Sequence, residues 1–133
     1  MILGITPERV EDLFPGAIFV FGSNLAGVHG AGAAYTAHQK YGAIRGQGFG
    51  LQGRSFAVPT KDTRLKSLDG EVIAAYAAAA LRFMELYSAP YTWVWTKIGC
   101  GLAGHSPSAI SARLSALFRE SGARLFVPQE FLT

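Results

Sequence analysis

One stretch in the first third of the chain, residues 17–34, constrains the fold more than any other. An apolar run from Ala17 to Phe21 ends in Gly22-Ser23-Asn24, and a glycine-rich loop then leads into an alanine-rich segment with good helix propensity. This order predicts a strand, a loop and a helix. Glycines leave the backbone N–H groups at a helix start open to an anion, which the helix dipole also favours. The stretch therefore indicates either a phosphate site or close packing of a helix on a sheet.

The glycine spacing does not match the common nucleotide motifs. Gly27-x-x-Gly30-x-Gly32 differs from the dinucleotide fingerprint G-x-G-x-x-G, and no Gly-Lys-Ser/Thr follows, as a Walker A loop requires. The loop alone thus leaves the ligand class open.

Composition limits the protein class. A chain of 133 residues suits a single domain, residues 1–133, and a half-apolar sequence with 16% charged residues is not typical of disorder. One cysteine and three histidines exclude an internal disulfide and disfavour a zinc site, so we expect no metal and no cofactor. The longest apolar stretch, Val72 to Leu81, is too short to span a bilayer, and no signal-peptide pattern is present. We expect a cytoplasmic protein without a membrane partner.

The charge pattern favours a small anionic ligand. The net charge is +3, but the sequence has no block of Lys and Arg and no interleaved aromatic and basic residues. Arg54, Lys61, Arg64 and Lys66, opposed in that window only by Asp62, predict one basic neighbourhood. Of the functional classes considered, a nucleic-acid-binding protein therefore has the least support.

Strand and helix patterns alternate along the chain. The predicted helices are Pro7–Leu13 after the cap residue Thr6, about Ala31–Tyr41 ended by Gly42, a long helix capped near Asp69, and one that begins at Ser106-Pro107 and ends at Ser121-Gly122. The predicted strands are Ala17–Phe21, Arg54–Val58, Tyr91–Ile98 and Arg124–Val127, with Gly46–Gly53 as a loop or bulged edge strand.

This alternation predicts an α/β fold, a three-layer α/β/α sandwich around a mainly parallel, mixed sheet. In such sheets ligands bind beyond the carboxyl ends of the strands. Three predicted strand ends carry Ser23-Asn24-Leu25, Thr60-Lys61-Asp62 and Gly99-Cys100-Gly101. We expect these segments to converge on one cleft, which favours a ligand site over simple packing.

The order of these motifs resembles that of macrodomains, the ADP-ribose-binding modules. The resemblance is carried by Phe21-Gly22-Ser23-Asn24-Leu25, Gly30-Ala31-Gly32-Ala33-Ala34, Val58-Pro59-Thr60-Lys61 and Ile98-Gly99-Cys100-Gly101-Leu102-Ala103-Gly104. It is nearest to the branch that includes the terminal ADP-ribose glycohydrolase and an antitoxin that removes ADP-ribose from DNA. The chain also resembles small bacterial and phage proteins with a Phe-Gly-Ser-Asn-Leu-Ala-Gly signature.

The resemblance implies a ligand site for an ADP-ribose-type molecule. It implies that Asn24 hydrogen-bonds the distal ribose and that the segment Gly99–Gly104 wraps the pyrophosphate and distal ribose with backbone N–H groups. Lys61 matches a lysine that attacks the anomeric carbon of the distal ribose in the glycohydrolase branch. The predicted ligand-binding residues are Ser23, Asn24, Gly30, Ala31, Gly32, Thr60, Gly99, Cys100, Gly101, Leu102, Ala103 and Gly104, with Lys61 as the candidate catalytic residue.

Two positions depart from the branch pattern. A catalytic aspartate that follows Gly-Cys-Gly-Leu in the terminal glycohydrolase is replaced here by Ala103. The acidic residue that usually holds adenine near the amino terminus has only Glu8, Glu11 and Asp12 as candidates. Lys61 either acts alone as a nucleophile or only pairs with phosphate.

Several residues have a simpler alternative. Asn24 is also typical of a turn that satisfies its own backbone, and Lys61 of a solvated surface lysine. Cys100 is either a nucleophile with His105 as its base or a small buried filler. His29 either contacts phosphate or faces solvent. Trp93 and Trp95 are core residues, unless one stacks on a purine.

The sequence predicts a protein that binds free or cyclic ADP-ribose, or ADP-ribosyl groups on protein or DNA; a bacterial or phage protein of this kind could sequester a signalling nucleotide. The alternative is an ADP-ribosyl hydrolase that uses Lys61. Small nucleotide-binding domains with exposed edge strands often pair, so a homodimer is a further expectation.

Overall fold

The computed structural model describes residues 1–10, 13–87 and 89–133. Within them, six strands form one sheet with three α-helices and one short 3₁₀ helix around it. The strands are β1 (Ile2–Ile5), β2 (Ala17–Asn24), β3 (Gly50–Gln52), β4 (Ser55–Lys61), β5 (Thr92–Trp95) and β6 (Leu125–Val127). The helices are α1 (Gly32–Lys40), α2 (Gly70–Leu86), α3 (Pro107–Glu120) and the 3₁₀ helix Gln129–Leu132.

The sheet is mixed and mostly parallel, in the order β1-β6-β5-β2-β4-β3. Only the edge strand β3 runs antiparallel, against β4, and all other neighbours are parallel. Parallel neighbours need crossover connections, which explains why strands and helices alternate along the chain. The predicted architecture is confirmed, including the edge strand within Gly46–Gly53.

The two faces of the sheet carry cores of different size. The larger core lies between the sheet and α2, α3 and the 3₁₀ helix, and includes Trp93, Trp95 and Phe118, all buried. The smaller core lies under α1 and contains Phe19, Phe21 and a few small residues. Each helix buries one face only, and none in the described part of the chain has both the length and the apolar character to cross a membrane.

The predicted helix Pro7–Leu13 is wrong for the residues that can be assessed. Residues 7–10 and 13 are not helical, whereas Glu11 and Asp12 lie outside the described residues. Thr6 does not act as a helix cap, because its hydroxyl donates to the Trp95 carbonyl at 2.7 Å and its amide donates to the Val127 carbonyl. The residues before it form β1, an edge strand that the sequence analysis missed.

Other predicted elements are correct in type and differ in length. The strand after Gly16 continues through Gly22-Ser23-Asn24, and β4 continues to Lys61, because the two strands pair from Phe19 and Ser55 as far as Asn24 and Lys61. The strand predicted over Tyr91–Ile98 is shorter and ends at Trp95. The helical spacing of apolar residues from Val72 to Tyr87 predicts that both side chains pack in the core, but Val72 in α2 and Tyr87, the residue after α2, are exposed.

Candidate functional site

The carboxyl ends of β2, β4 and β5 lie side by side. Asn24 is opposite Lys61 in the register of β2 and β4, and the amide of Leu25 donates to the Lys61 carbonyl at 3.0 Å. On the other side of β2, Thr96 donates from both its amide and its hydroxyl to the Val20 carbonyl. These contacts bring the segments that follow the three strands to one edge of the sheet, as the sequence predicts.

These segments and the start of α1 enclose a cleft of about 450 Å³, which we call the first cavity. Among the predicted site residues, those that line it are Ser23, Asn24, Gly30, Ala31, Gly32, Thr60, Lys61, Gly99, Gly101, Leu102 and Ala103. Gly22, Val28, Ala33, Ala34, Leu65, Thr96, Lys97 and Ile98 complete the wall and were not predicted as site residues. That a ligand contacts the predicted site residues stays a prediction.

Cys100 and Gly104 are not in the wall of the first cavity. Cys100 is half-buried against the larger core, and its Sγ lies 3.6 Å from the Ile98 carbonyl. Burial raises the pKa of this thiol, which disfavours the thiolate that a nucleophile needs. His105, the suggested base, instead contacts the Leu68 carbonyl through Nε2 at 2.8 Å. The structure favours the filler interpretation of Cys100.

Asn24 closes the loop that forms one side of the first cavity. Its Nδ2 donates to the Val28 carbonyl at 2.7 Å, and its Oδ1 accepts from the Val28 amide at 3.0 Å. The side chain is buried, so these two bonds fix the turn from residue 24 to residue 28. A primary amide retains one further N–H and one further lone pair for a ligand.

Two close backbone approaches support the same loop. A Cβ atom on Gly48 would lie 2.3 Å from the Asn24 carbonyl oxygen, and one on Gly27 would lie 2.4 Å from the Gly46 carbonyl carbon. Gly27 also has a positive φ of 69°. The Ser23 hydroxyl donates to the Gly48 carbonyl and so joins the strand end to this second loop. These glycines let two loops touch, which differs from the packing of a helix on a sheet that was considered for the stretch.

The start of α1 opens onto the first cavity. Ala31 is the N-cap residue and has no side-chain acceptor for the first amides of the helix, and no acidic residue lies in the first turn. The amides of a first helical turn have no partner within the helix, and the helix dipole places partial positive charge there. An anion in the first cavity would accept hydrogen bonds from these amides and would be attracted by the positive end of the helix dipole.

The charge of the first cavity is positive. Lys61 and Lys97 are the only charged side chains among the described residues of its wall. The predicted basic neighbourhood is smaller than expected, because Arg54 lies at the other end of β4. There its guanidinium is near the Leu13 and Phe14 carbonyls and over the Tyr41 ring, 5.9 Å from the ring centroid.

The loop after β4 is tied to the glycine turn after β5. The Ser67 hydroxyl donates to the Ala103 carbonyl, and His105 bonds to Leu68. Within the loop, the amides of Lys66 and Arg64 donate to the Asp62 carboxylate and lower its pKa. The carboxylate nearest in sequence to Lys61 is therefore engaged with its own loop.

Two interpretations from sequence are excluded by burial. His29 is neither exposed nor in the wall of the first cavity, because its Nε2 donates to the Ile44 carbonyl at 2.9 Å and its ring is buried beside Phe21. Trp93 and Trp95 are fully buried, so neither can stack on a purine. A buried loop histidine carries no sequence signal that distinguishes it from an exposed one.

A second cavity of about 720 Å³ adjoins the first. Its wall combines the end of β1 with the segment after it, one residue of β2, one side of α1, the segment after β5, and the 3₁₀ helix with its flanking residues. The lining residues are Ile5, Thr6, Pro7, Glu8, Val10, Phe19, Ala33, Thr36, Thr96, Lys97, Pro128, Gln129, Glu130 and Thr133. The two cavities share Ala33, Thr96 and Lys97. The sequence analysis missed this cavity, because five segments separated in sequence supply its wall and no motif joins them.

Among the described residues that line the two cavities, acidic ones belong only to the second. Glu8 and Glu130 each approach Lys97 Nζ to 3.3 Å. Of the suggested adenine-holding residues, Glu8 is thus placed in the second cavity, whereas Glu11 and Asp12 are outside the described residues. No group of three or more His, Cys, Asp or Glu residues in the described ranges could hold a metal ion.

Comparison with protein families and with curated proteins gives no match. Comparison with solved structures gives the macrodomain of Mycobacterium tuberculosis DarG, with a TM-score of 0.64 and 19% sequence identity. The match covers 96% of this chain and 98% of that one. The chain therefore has the macrodomain fold, in agreement with the resemblance of its motifs.

Proposed function

We propose that this protein binds an ADP-ribose-type ligand across its two cavities. The proposal rests on the groups that line the first cavity. This cavity combines the open start of α1, exposed glycine backbone and two lysines, without an acidic side chain in the described part of its wall. Backbone amides, a helix dipole and ammonium groups together suit a diphosphate. The motif order and the fold are those of ADP-ribose-binding modules.

The adjoining second cavity gives such a ligand room for a further group. A molecule with a diphosphate between two sugar-containing ends needs space on both sides of the anion. Pro7, Val10 and Pro128 supply apolar surface in the second cavity, and the carboxylates there favour hydrogen-bond donors such as amino and hydroxyl groups. We assign the nucleoside end to the second cavity and the distal ribose to the first.

A hydrolase that uses Lys61 is the second candidate, and it rests on one observation. Lys61 is half-buried and lies in the wall of the first cavity. Before its amine could attack an anomeric carbon, the ammonium would have to lose a proton. The described wall of that cavity contains no carboxylate to accept it, Asp62 is engaged with its own loop, and Ala103 occupies the aspartate position. We therefore favour binding over hydrolysis.

Calorimetric titration with ADP-ribose tests the proposal, with AMP and NAD as comparison ligands. We expect saturable micromolar binding that Lys61→Met weakens about tenfold, since a charge-assisted hydrogen bond contributes about 1.5–3 kcal/mol. Lys66→Met is the matched control, because Lys66 is an exposed lysine of the next loop and does not line the first cavity. Absence of binding to ADP-ribose would overturn the proposal.

Release of ADP-ribose from modified DNA and modified peptide, measured in parallel, separates the two candidates. We expect no release by the wild type. Release that Lys61→Ala abolishes while ADP-ribose binding persists would establish the hydrolase instead. Affinity for unmodified DNA that falls steeply with salt, without affinity for ADP-ribose, would indicate a nucleic-acid-binding protein.

A further inference from the structure

Lys97 occupies a position that no other charged residue shares in the described part of the chain. It lies in the walls of both cavities, together only with Ala33 and Thr96. It follows the short strand β5 and precedes the glycine turn that lines the first cavity. Lys97 therefore lies where the two cavities meet, with its ammonium beside the carboxylates of the second.

The carboxylates that hold Lys97 come from distant parts of the chain. Glu8 follows β1, Glu130 belongs to the 3₁₀ helix, and each lies 3.3 Å from Lys97 Nζ. Hydrogen bonds from the ammonium to Glu130 and Glu8 raise the pKa of Lys97, so the group stays protonated near neutral pH. The Glu8 side chain is 82% exposed. An exposed pair of this kind contributes little free energy and is readily exchanged.

The two cavities have opposite charge around this lysine. Apart from Lys97, the described wall of the first cavity carries the cation Lys61, and that of the second carries the anions Glu8 and Glu130. An anionic group is attracted to the first cavity and repelled from the second. Lys97 lies at the boundary between a wall that carries Lys61 and a wall that carries Glu8 and Glu130.

We propose that Lys97 is a ligand-positioning residue whose ammonium exchanges Glu8 for a phosphate of the ligand in the first cavity. Glu130 retains its contact and holds the side chain at the boundary. The carboxylate of Glu8 thus competes with the phosphate. Because the second cavity carries glutamates and the first carries Lys61, the phosphate-bearing part of the ligand stays in the first cavity. This proposal rests on the proposed function only for the identity of the ligand, because it requires no more than a phosphate anion.

Competition predicts opposite effects for the two partners of one ion pair. Lys97→Met removes the cation and should weaken binding of a diphosphate about tenfold or more. Glu8→Gln removes the competing carboxylate and should strengthen binding about twofold to fivefold, the range expected from the contribution of an exposed pair. A purely structural ion pair would predict the same direction for both variants.

The test is titration of the wild type, Lys97→Met, Glu8→Gln and the control Lys40→Met with ADP-ribose and with inorganic pyrophosphate, at two salt concentrations. Lys40 is an exposed lysine at the end of α1 and lines neither cavity. Pyrophosphate lacks adenine, so its affinity does not depend on any contact between Glu8 and the base. Lys97→Met should also reduce the salt dependence of binding.

The outcomes separate this proposal from the function. If the wild type binds ADP-ribose and Lys97→Met binds it equally well, Lys97 is not a positioning residue and the proposed function stands. If only pyrophosphate binds and Lys97→Met weakens it, the positioning role stands without the proposed ligand. Weaker binding of pyrophosphate by Glu8→Gln, or no binding of either probe by the wild type, overturns the positioning role.

Discussion

The two adjoining cavities differ in how they are built. The first is formed by short motifs that each follow a strand, and its described charges are all positive. The second is formed by five segments that are separated in sequence, and it contains the carboxylates of Glu8 and Glu130. A site made from local motifs can therefore be predicted from the sequence. A neighbouring site whose wall forms only when distant segments pack together can be identified only in the folded structure.

The largest effect is expected where backbone contact shapes the first cavity. In Gly48→Ala the new Cβ would lie 2.3 Å from the Asn24 carbonyl oxygen, so the two loops must separate. We expect a loss of about 2–4 kcal/mol in the free energy of unfolding and loss of ADP-ribose binding, because overpacking against backbone cannot relax cheaply. Thermal and denaturant unfolding would measure the first and titration the second.

Gly101→Ala is the matched control for that change. Gly101 also lines the first cavity, but nothing lies within 4 Å of the position of its Cβ and its φ is not positive. Its stability should stay within about 0.5 kcal/mol of the wild type. Equal stability of the two alanine variants would mean that the Gly48 contact does not shape the first cavity.

A smaller effect is expected from Asn24→Ala. The change leaves the Val28 amide and carbonyl without their partner and should cost about 1–3 kcal/mol of stability. Binding should weaken as well, since the loop from residue 24 to residue 28 borders the first cavity. Reduced affinity in this variant therefore does not by itself demonstrate a ribose contact.

Asn24→Asp sharpens that experiment. The aspartate retains an acceptor for the Val28 amide but has no N–H for the Val28 carbonyl. Its second oxygen would face the Val28 carbonyl oxygen, so denaturant unfolding should show a stability clearly below that of the wild type if this side chain closes the loop. Stability of Asn24→Ala equal to the wild type would contradict it.

The smallest effect concerns the acidic wall of the second cavity. A hydrogen bond from its own backbone amide and then one from Lys97 lower the pKa of Glu130. A carboxyl group with a lowered folded-state pKa contributes stability above its unfolded pKa of about 4.3, and loses it as the pH falls through the folded value. Because the side chain is 41% exposed, we expect Glu130→Gln to cost no more than about 0.5 kcal/mol at pH 7.

Urea unfolding of the wild type and Glu130→Gln between pH 7 and pH 3 measures this difference. It should shrink as the pH falls through the lowered pKa of Glu130 and the carboxylate becomes protonated. A difference that grows in acid would show that the pair with Lys97 does not stabilise the fold.

Much of the first cavity could be predicted because each of its parts has a local signal. An apolar run that ends in Gly22-Ser23-Asn24 predicts a strand and its end, and the alanine-rich segment predicts α1. Ser106-Pro107 predicts the start of α3, where the Ser106 hydroxyl accepts from the Ala109 amide at 3.1 Å. These signals are steric and hydrogen-bonding preferences of adjacent residues, so they act before the chain is packed.

The missed features depend on contacts between distant residues. Thr6-Pro7 has the local pattern of a helix start, but bonds to Trp95 and Val127 hold Thr6 at the end of an edge strand instead. Lys97 has no sequence signal, and its partners lie 89 and 33 residues away. Cys100 follows the glycine pattern of the site but packs against the core.

The alternation of strands and helices and the glycine turns at the strand ends can be predicted from the sequence alone. The position of the first cavity follows from them. Local sterics and capping fix these elements, and parallel strands place their carboxyl ends on one edge. The tertiary structure is needed to see which residues share the second cavity and that Lys97 lies between Lys61 and the two glutamates. Those features require segments from both ends of the chain to pack together, and the pairing of distant segments is set by the whole core.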